Sequence, residues 1–359
     1  MLEAFFLPVN KSITRGFAKS KGLLGAELKI YSGKFPDTGK IDVAIIGLGK
    51  NADLIRKQLY TYSCNFTGIE IADFGNLNHN GSSKNINAGL SECIIALKAE
   101  NIIPVFIGEH ENYSDGLFKS NTFNQVDYAL VSPLIQYQPT DLAKKLQSKR
   151  KLFHASFIAY QNFLNTRDII QESGEIFSEH LRLGDVRADM SKVEPILRQA
   201  DLFEFDLSAI RSQDFQSGAM SLPNGLFNHE ACAICRYAGI SNTIGIYILN
   251  HFDLQADKIT DHMQAAQMLW YILDGIDNRF NDHPILNHRN FTVYKCHAHS
   301  GEDMLFITSA MTGRWWMQVP QLDKSKKIAP KFIGCNEEDF EIAKQGEVPE
   351  KWYGAIGLY

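Results

Sequence analysis

The chain has 359 residues, with 36 Lys and Arg against 41 Asp and Glu, for a net charge of −5. That balance argues against the basic footprint of a nucleic-acid binder and against a polybasic membrane-surface protein. At 45% hydrophobic and 21% charged, the sequence is too apolar for a disordered chain and long enough for one large α/β domain or two ordinary ones.

No apolar run approaches the roughly 18 residues of a membrane span. The apolar stretch in MLEAFFLPVNK is shorter than a secretory core and carries Glu3. Six cysteines are too sparse for a disulfide scaffold, so reduced thiols in a cytoplasmic protein are expected.

In chain order the sequence predicts strands over residues 42–47, 68–73, 102–107, 127–131, 152–157, 202–206, 243–249 and 291–296. Several are nearly continuous apolar runs, as parallel strands covered on both faces require. Helices are predicted between them. Residues 52–62 follow the first strand. Residues 84–100 place Ile86, Leu90, Ile94, Ile95 and Leu97 at a helical period. Ser191 to Glu194 reads as a capping box, and Asn228 as the cap of a helix closed by Gly239. Residues 258–279 present Met263, Ala266, Leu269, Trp270 and Leu273 as a buried stripe. This order predicts a three-layer α/β/α domain over residues 1–311, with a mostly parallel sheet of about eight strands. Its site is expected at the carboxyl ends of the strands. Residues 312–359 read as a Trp-rich extension packed on that domain, with a helix starting after Asn336. Trp315, Trp316, Trp352 and Tyr353 there suit either the packing of the tail or an interaction patch.

Four segments carry chemistry. Gly47-Leu48-Gly49-Lys50-Asn51-Ala52 matches G-x-G-x-x-A after a strand, with Glu70 and Asp73 about 20 residues on. It reads either as a dinucleotide loop or as a strand-to-helix turn that needs two glycines. Cys232 and Cys235 have metal-like spacing, and Cys296, His297 and His299 form a second cluster. A zinc site would need the two clusters to meet, and small buried thiols are the alternative. Glu109-His110-Glu111 follows a strand and suits either ligands or a solvated loop. Asp206 ends the strand 202–206, with Glu204 on the same side.

Taken together, these segments resemble the arginase-type ureohydrolase superfamily, most closely its formimidoylglutamase-like branch, over roughly residues 40–280. IIGLGKNADLIRKQLYTYS resembles the family's first strand and helix, and GIEIADFGNL its Asp-Leu-Gly strand end. NIIPVFIGEHENYSDG stands for Gly-Gly-Asp-His-Ser, and DLFEFDLSAIRSQD for Ser-Phe-Asp-x-Asp. PNGLFNHEACAICRYAG resembles the family's Gly-Leu…Glu-Ala helix. TIGIYILNHFD and AAQMLWYILDG resemble its Tyr-Glu-x-Asn-Pro strand and the helix that follows.

The resemblance implies two manganese ions held by two His and four Asp, which activate a water for attack on a guanidinium or formimino carbon. The transfer to this chain is incomplete. His110 matches the first histidine, while Glu109 replaces the aspartate before it. Ser132, Leu134 and Gln136 stand where Asp-x-His-x-Asp should be. Asp206 is kept and Ser208 replaces the second acid. The substrate-binding glutamate aligns with Ile248, and its proline with His251. Residues 137–150 hold no equivalent of the active-site histidine. The resemblance therefore implies an inactive relative acting as a binding or scaffold protein and associating with itself, with no resident manganese pair and His110 and Asp206 as remnants. Two alternatives stay open. One is a manganese-dependent amidine hydrolase with a rearranged site that uses His110, Asp206, Glu109 and Asp214, with Glu109 and Glu111 as substitute metal ligands. The other is a dinucleotide enzyme built on Gly47, Gly49, Ala52 and Glu70.

Overall fold

The computed structural model describes residues 2–17, 20–78, 83–109, 113–120, 126–135, 152–174, 178–280, 282–284, 290–319 and 332–352. The expected site residues His110, Glu111 and Gln136, as well as Tyr353, lie outside them.

The main sheet contains β1 (Phe6–Leu7), β2 (Lys29–Ile30), β3 (Val43–Gly47), β4 (Ile71–Leu77), β5 (Ile103–Ile107), β6 (Val126–Val131), β7 (Leu152–Tyr160), β8 (Ser178–Arg182), β9 (Leu202–Asp206) and β10 (Ile246–Asn250). Their order is β1-β4-β3-β5-β10-β9-β6-β7-β8, with β2 added at β4. Only the short β1 runs antiparallel to its neighbour; the remaining pairs are parallel. Side-chain alternation divides the core in two. Val105, Phe203, Phe205, Tyr247 and Leu249 pack on one face. Phe106, Tyr128, Leu130, Leu202 and Ile248 pack on the other. An apolar residue at nearly every strand position is what coverage of both faces demands.

The helices Ala52–Leu59, Ser83–Ala99 and Ile259–Asp277 lie where the periodicity places them. Their buried faces differ in detail. Ile95 and Met263 are exposed, whereas Cys93, Met268 and Ile272 are buried. The expected capping box at Ser191 is displaced: Asp189 accepts the Ser191 amide at 3.0 Å. Glu194 turns instead to Arg198 and Arg314. The helix Asn228–Gly239 begins one residue earlier than a cap at Asn228 would allow, and the Glu230 carboxylate accepts the Phe227 amide at 2.7 Å. Gly239 is no left-handed terminator either. A Cβ on Gly239 would lie 2.5 Å from the Ile272 carbonyl oxygen and 2.7 Å from the Gly275 Cα. This glycine is there because two helix backbones touch.

An ion pair pins the first helix to β4. Arg56 and Asp73 are both fully buried, and the guanidinium grips the carboxylate through Nε at 2.8 Å and Nη2 at 3.0 Å. Tyr60 donates to the same carboxylate at 2.8 Å, and Arg56 also reaches the Gly75 carbonyl at 2.7 Å. Burial opposes the Arg56 charge most strongly, but Asp73, Tyr60 and Asp53 together outweigh it and raise the guanidinium's pKa.

The second sheet is antiparallel: β11 (Phe291–His297), β12 (Asp303–Ser309), β13 (Trp315–Gln318) and β14 (Phe332–Cys335). It starts at Phe291, so a boundary at 311 would cut between β12 and β13, which are hydrogen-bonded neighbours. The strand expected at 291–296 therefore belongs to this unit and not to the parallel sheet. Its core is Met304, Phe306, Met317, Ile333, Cys335 and Trp352, with Trp315 stacked on Phe340 at 4.7 Å. Trp316 and Trp352 are buried, which favours packing over an exposed patch for this part of the tail. Arg198 joins the two units: it donates to the Trp315 carbonyl at 2.7 Å and lies 4.7 Å over the Trp316 ring. Lys351 reaches back to Glu179 at 2.7 Å.

Candidate functional site

Four neighbouring strands, β5, β10, β9 and β6, end side by side at the middle of the main sheet. Because side chains alternate, Glu204 and Asp206 share a face with Ile248 and Asn250 of β10, their register partners. Leu130 of β6 pairs with Glu204 from the other side.

Asp206 is buried, and both of its oxygens are engaged. Oδ1 accepts the Ser208 amide at 2.8 Å, closing a turn of 3-10 helix over Leu207–Ala209. Oδ2 accepts the Ser132 hydroxyl at 3.0 Å. The same Ser132 oxygen accepts the Leu134 amide at 3.1 Å. Ser208 Oγ accepts the Met220 amide at 2.9 Å and donates to the His251 carbonyl at 3.5 Å. The structure thus brings Ser132, Asp206 and Ser208 together, with their polar atoms bonded to one another and to nearby backbone. Leu134 is half-buried beside them, and Ile248 is fully buried.

One layer deeper lies a carboxylate whose partners the sequence conceals. Glu204 is buried; its Oε2 accepts the Tyr128 hydroxyl at 2.7 Å, and its Oε1 accepts Asn250 Nδ2 at 2.7 Å. His251 Nε2 lies 3.9 Å from Oε1. Burial, and then the charge of Glu204, push the Tyr128 hydroxyl well above its ordinary pKa, so it remains a donor. Polar residues at i and i+2 of an apolar strand signal such a site. Tyr128 and Asn250 emerge only once the register is known.

His251 has φ of 60°, in the left-handed region. Its amide donates to the Glu109 carbonyl at 2.7 Å, and its carbonyl accepts the Ala219 amide at 2.8 Å. A proline, the residue of the family motif, would be held near φ of about −65° and would lack that amide hydrogen. The end of β10 therefore follows a path closed to proline.

Glu109 points elsewhere. Its Oε1 accepts the Asn51 amide at 2.7 Å, at the start of the helix Ala52–Leu59. A Cβ on Gly49 would lie 2.0 Å from the Glu109 carboxyl carbon. The two glycines thus have a local reason: Asn76 and Ala52 crowd Gly47, and a carboxylate of the chain itself crowds Gly49. The acids expected to hold a ribose are not at this turn. Glu70 precedes β4, at the amino end of the strand beside β3, and pairs with Lys29 at 2.7 Å. Asp73 is taken by Arg56. This arrangement removes the dinucleotide fingerprint.

Asp214 is also committed. It pairs with Arg211 at 2.8 Å, and this bond holds its carboxyl below the usual range. Cys232 and Cys235 are buried free thiols of one helix, and burial pushes Cys232 up to about 11. Cys296 belongs to the second sheet, where His297 pairs with Asp303. Among the described residues, no three or more His, Cys, Asp or Glu side chains are grouped to hold a metal ion. Among them, too, no helix is long and apolar enough to cross a membrane.

No family model and no curated protein matches the chain by sequence. Solved structures do. A formiminoglutamase from Trypanosoma cruzi with manganese superposes with a TM-score of 0.63 at 15% identity, covering 72% of this chain and 99% of that one. The formimidoylglutamase from Bacillus subtilis gives 0.62 at 14%, covering 73% and 94%. The agmatine ureohydrolase of Thermoplasma volcanium gives 0.54 at 15%, covering 67% and 91%. The chain has the arginase-superfamily fold. The mostly parallel main sheet is the sheet of that fold, its central carboxyl ends carry Glu109, Ser132, Asp206 and His251, and the expected fold class holds.

Proposed function

We propose that this arginase-fold protein does not carry out two-manganese hydrolysis and acts instead by binding, as a scaffold or regulatory protein that associates with copies of itself. One observation carries the reading: Asp206, Ser132 and Ser208, which the resemblance sets at ligand positions, are bonded to one another and to backbone amides.

The energetics favour the same conclusion. Two divalent cations about 3.5 Å apart repel by about 19 kcal/mol at an effective dielectric near 20. Several carboxylates are needed to offset that, and the family positions among the described residues offer Asp206 with two serine hydroxyls and the hydrocarbon of Leu134. Hydrocarbon cannot replace a cation's hydration shell. The donor set does not fit a manganese pair. A rearranged hydrolase site is disfavoured in turn, since the Glu109 carboxylate sits on the 47–51 turn and Asp214 is paired with Arg211. Six free cysteines fit a reducing compartment, and we assign the protein to the cytoplasm.

The direct test incubates the purified protein and added manganese with arginine, agmatine or formiminoglutamate. Release of urea, ammonia or formamide is expected to stay at the uncatalysed background. Turnover of any of the three that is abolished by Asp206→Ala would refute the proposal.

A further inference from the structure

Apart from the ring around Asp206, the β9 and β10 strand ends hold an unbalanced group. Glu204 is 1% exposed and accepts two neutral donors, the Tyr128 hydroxyl and Asn250 Nδ2. Neutral donors satisfy lone pairs but do not cancel the charge, and a buried carboxylate without a counter-ion is costly. Among the described residues, the one cation-capable side chain within 4 Å is His251, at 3.9 Å. Asp206, the register partner of Asn250, adds a second negative charge on the same face.

The amide of Asn250 supplies the independent observation. Its Nδ2 must face Glu204, because an ionised carboxylate only accepts hydrogen bonds. That fixes Oδ1 on the other side, and Oδ1 is buried with no hydrogen-bond partner. A buried carbonyl oxygen left without a donor costs about 1–3 kcal/mol.

We propose that the ends of β9 and β10 form a receptor for a small protonated amine, held by Asn250 Oδ1 and the Glu204 carboxylate. This rests on reading the site as one that binds without a manganese pair. A primary ammonium brings three N–H donors and one positive charge. It supplies both things that are missing, a donor for Oδ1 and a counter-charge for Glu204. The bonds Glu204 already makes stay in place, since each carboxylate oxygen has a second lone pair. Leu130 and Ile248, the register partners of Glu204, are apolar and add no competing polar group beside it.

The test uses the full chain, freed of metal by chelation, in calorimetric titrations at matched ionic strength. The probes are ammonium, methylammonium and tetramethylammonium chloride. Ammonium and methylammonium are expected to saturate with a Kd on the order of 1 mM, and tetramethylammonium, equally charged but without N–H donors, is expected not to bind. Tighter binding of methylammonium would point to the end of a larger amine, and tighter binding of ammonium to the free ion. Either order supports the proposal. Glu204→Gln is expected to weaken binding by at least about tenfold. An equal response to all three salts, no saturation with either N–H cation, or unchanged binding by folded Glu204→Gln would overturn it. If that variant does not fold, the three salts decide alone on the unaltered protein. A parallel manganese titration separates the two ideas. Two tight equivalents of manganese defeat the metal-free reading, whereas silence with every cation defeats only the amine site.

Discussion

Arg56→Met is expected to destabilise the protein by about 3–5 kcal/mol, because it leaves the Asp73 carboxylate buried without its counter-ion. Both side chains are fully buried, and the grip is bidentate, at 2.8 and 3.0 Å. The same arginine also reaches Asp53, Asn76 and the Gly75 carbonyl, so removing it strands several acceptors together. The effect reaches the site by a short route. Arg56 anchors the helix Ala52–Leu59, and the Asn51 amide at the start of that helix holds Glu109, whose backbone is bonded to His251. Replacing both charges, as in Arg56→Met with Asp73→Leu, is expected to recover part of the loss, since an apolar pair of similar size often matches a buried ion pair while Asn76, the Gly75 carbonyl and the Tyr60 hydroxyl lose their partners. Chemical denaturation of the single and double variants measures this. A single variant within about 1 kcal/mol of the parent would show that the pair does not hold this edge of the fold.

Gly275→Ala is expected to cost about 3 kcal/mol, by forcing two helices apart. A Cβ at Gly275 would meet the Arg236 carbonyl oxygen and the Gly239 Cα, both at 2.6 Å. These are backbone atoms and cannot swing away as a side chain would. The helices Asn228–Gly239 and Ile259–Asp277 together cover β9 and β10 through Ile234, Cys235, Leu269 and Leu273. Gly245→Ala provides the control. It has open space around its Cβ position and is expected to change stability by less than about 0.5 kcal/mol. Thermal unfolding compares the two, and equal melting temperatures would contradict the helix contact.

How much of this was legible in the sequence depends on the kind of interaction. The central strands announce themselves: residues such as Leu202, Phe203 and Phe205 in one short run can only be a strand covered on both faces. β8 (Ser178–Arg182), at the end of the sheet, carries Glu179, His180 and Arg182 and shows no such pattern. Of the second sheet the sequence shows only the strand at 291–296; β13 (Trp315–Gln318) and β14 (Phe332–Cys335) are four residues each, too short for an alternating pattern to stand out. Gly239 reads as a helix terminator until its neighbour Gly275 is known. The G-x-G-x-x-A match fails because local spacing cannot reveal that Glu109, 58 residues beyond Asn51, fills the turn. At the candidate site, the motif order picked out Ser132, Asp206 and Ser208, which lie within hydrogen-bonding reach of one another through Asp206. The partners of Glu204 depend on which strand lies beside β9, and that is a property of the sheet order alone.

In the proposed function the strand ends of this arginase-fold chain bind their own donors instead of two cations. Equilibrium dialysis against manganese near neutral pH, with the bound metal counted by mass spectrometry, tests it most directly. Less than one tightly held equivalent per chain is expected, with no change on Ser132→Ala. Two tightly held equivalents, lost together on Asp206→Ala, would contradict the account.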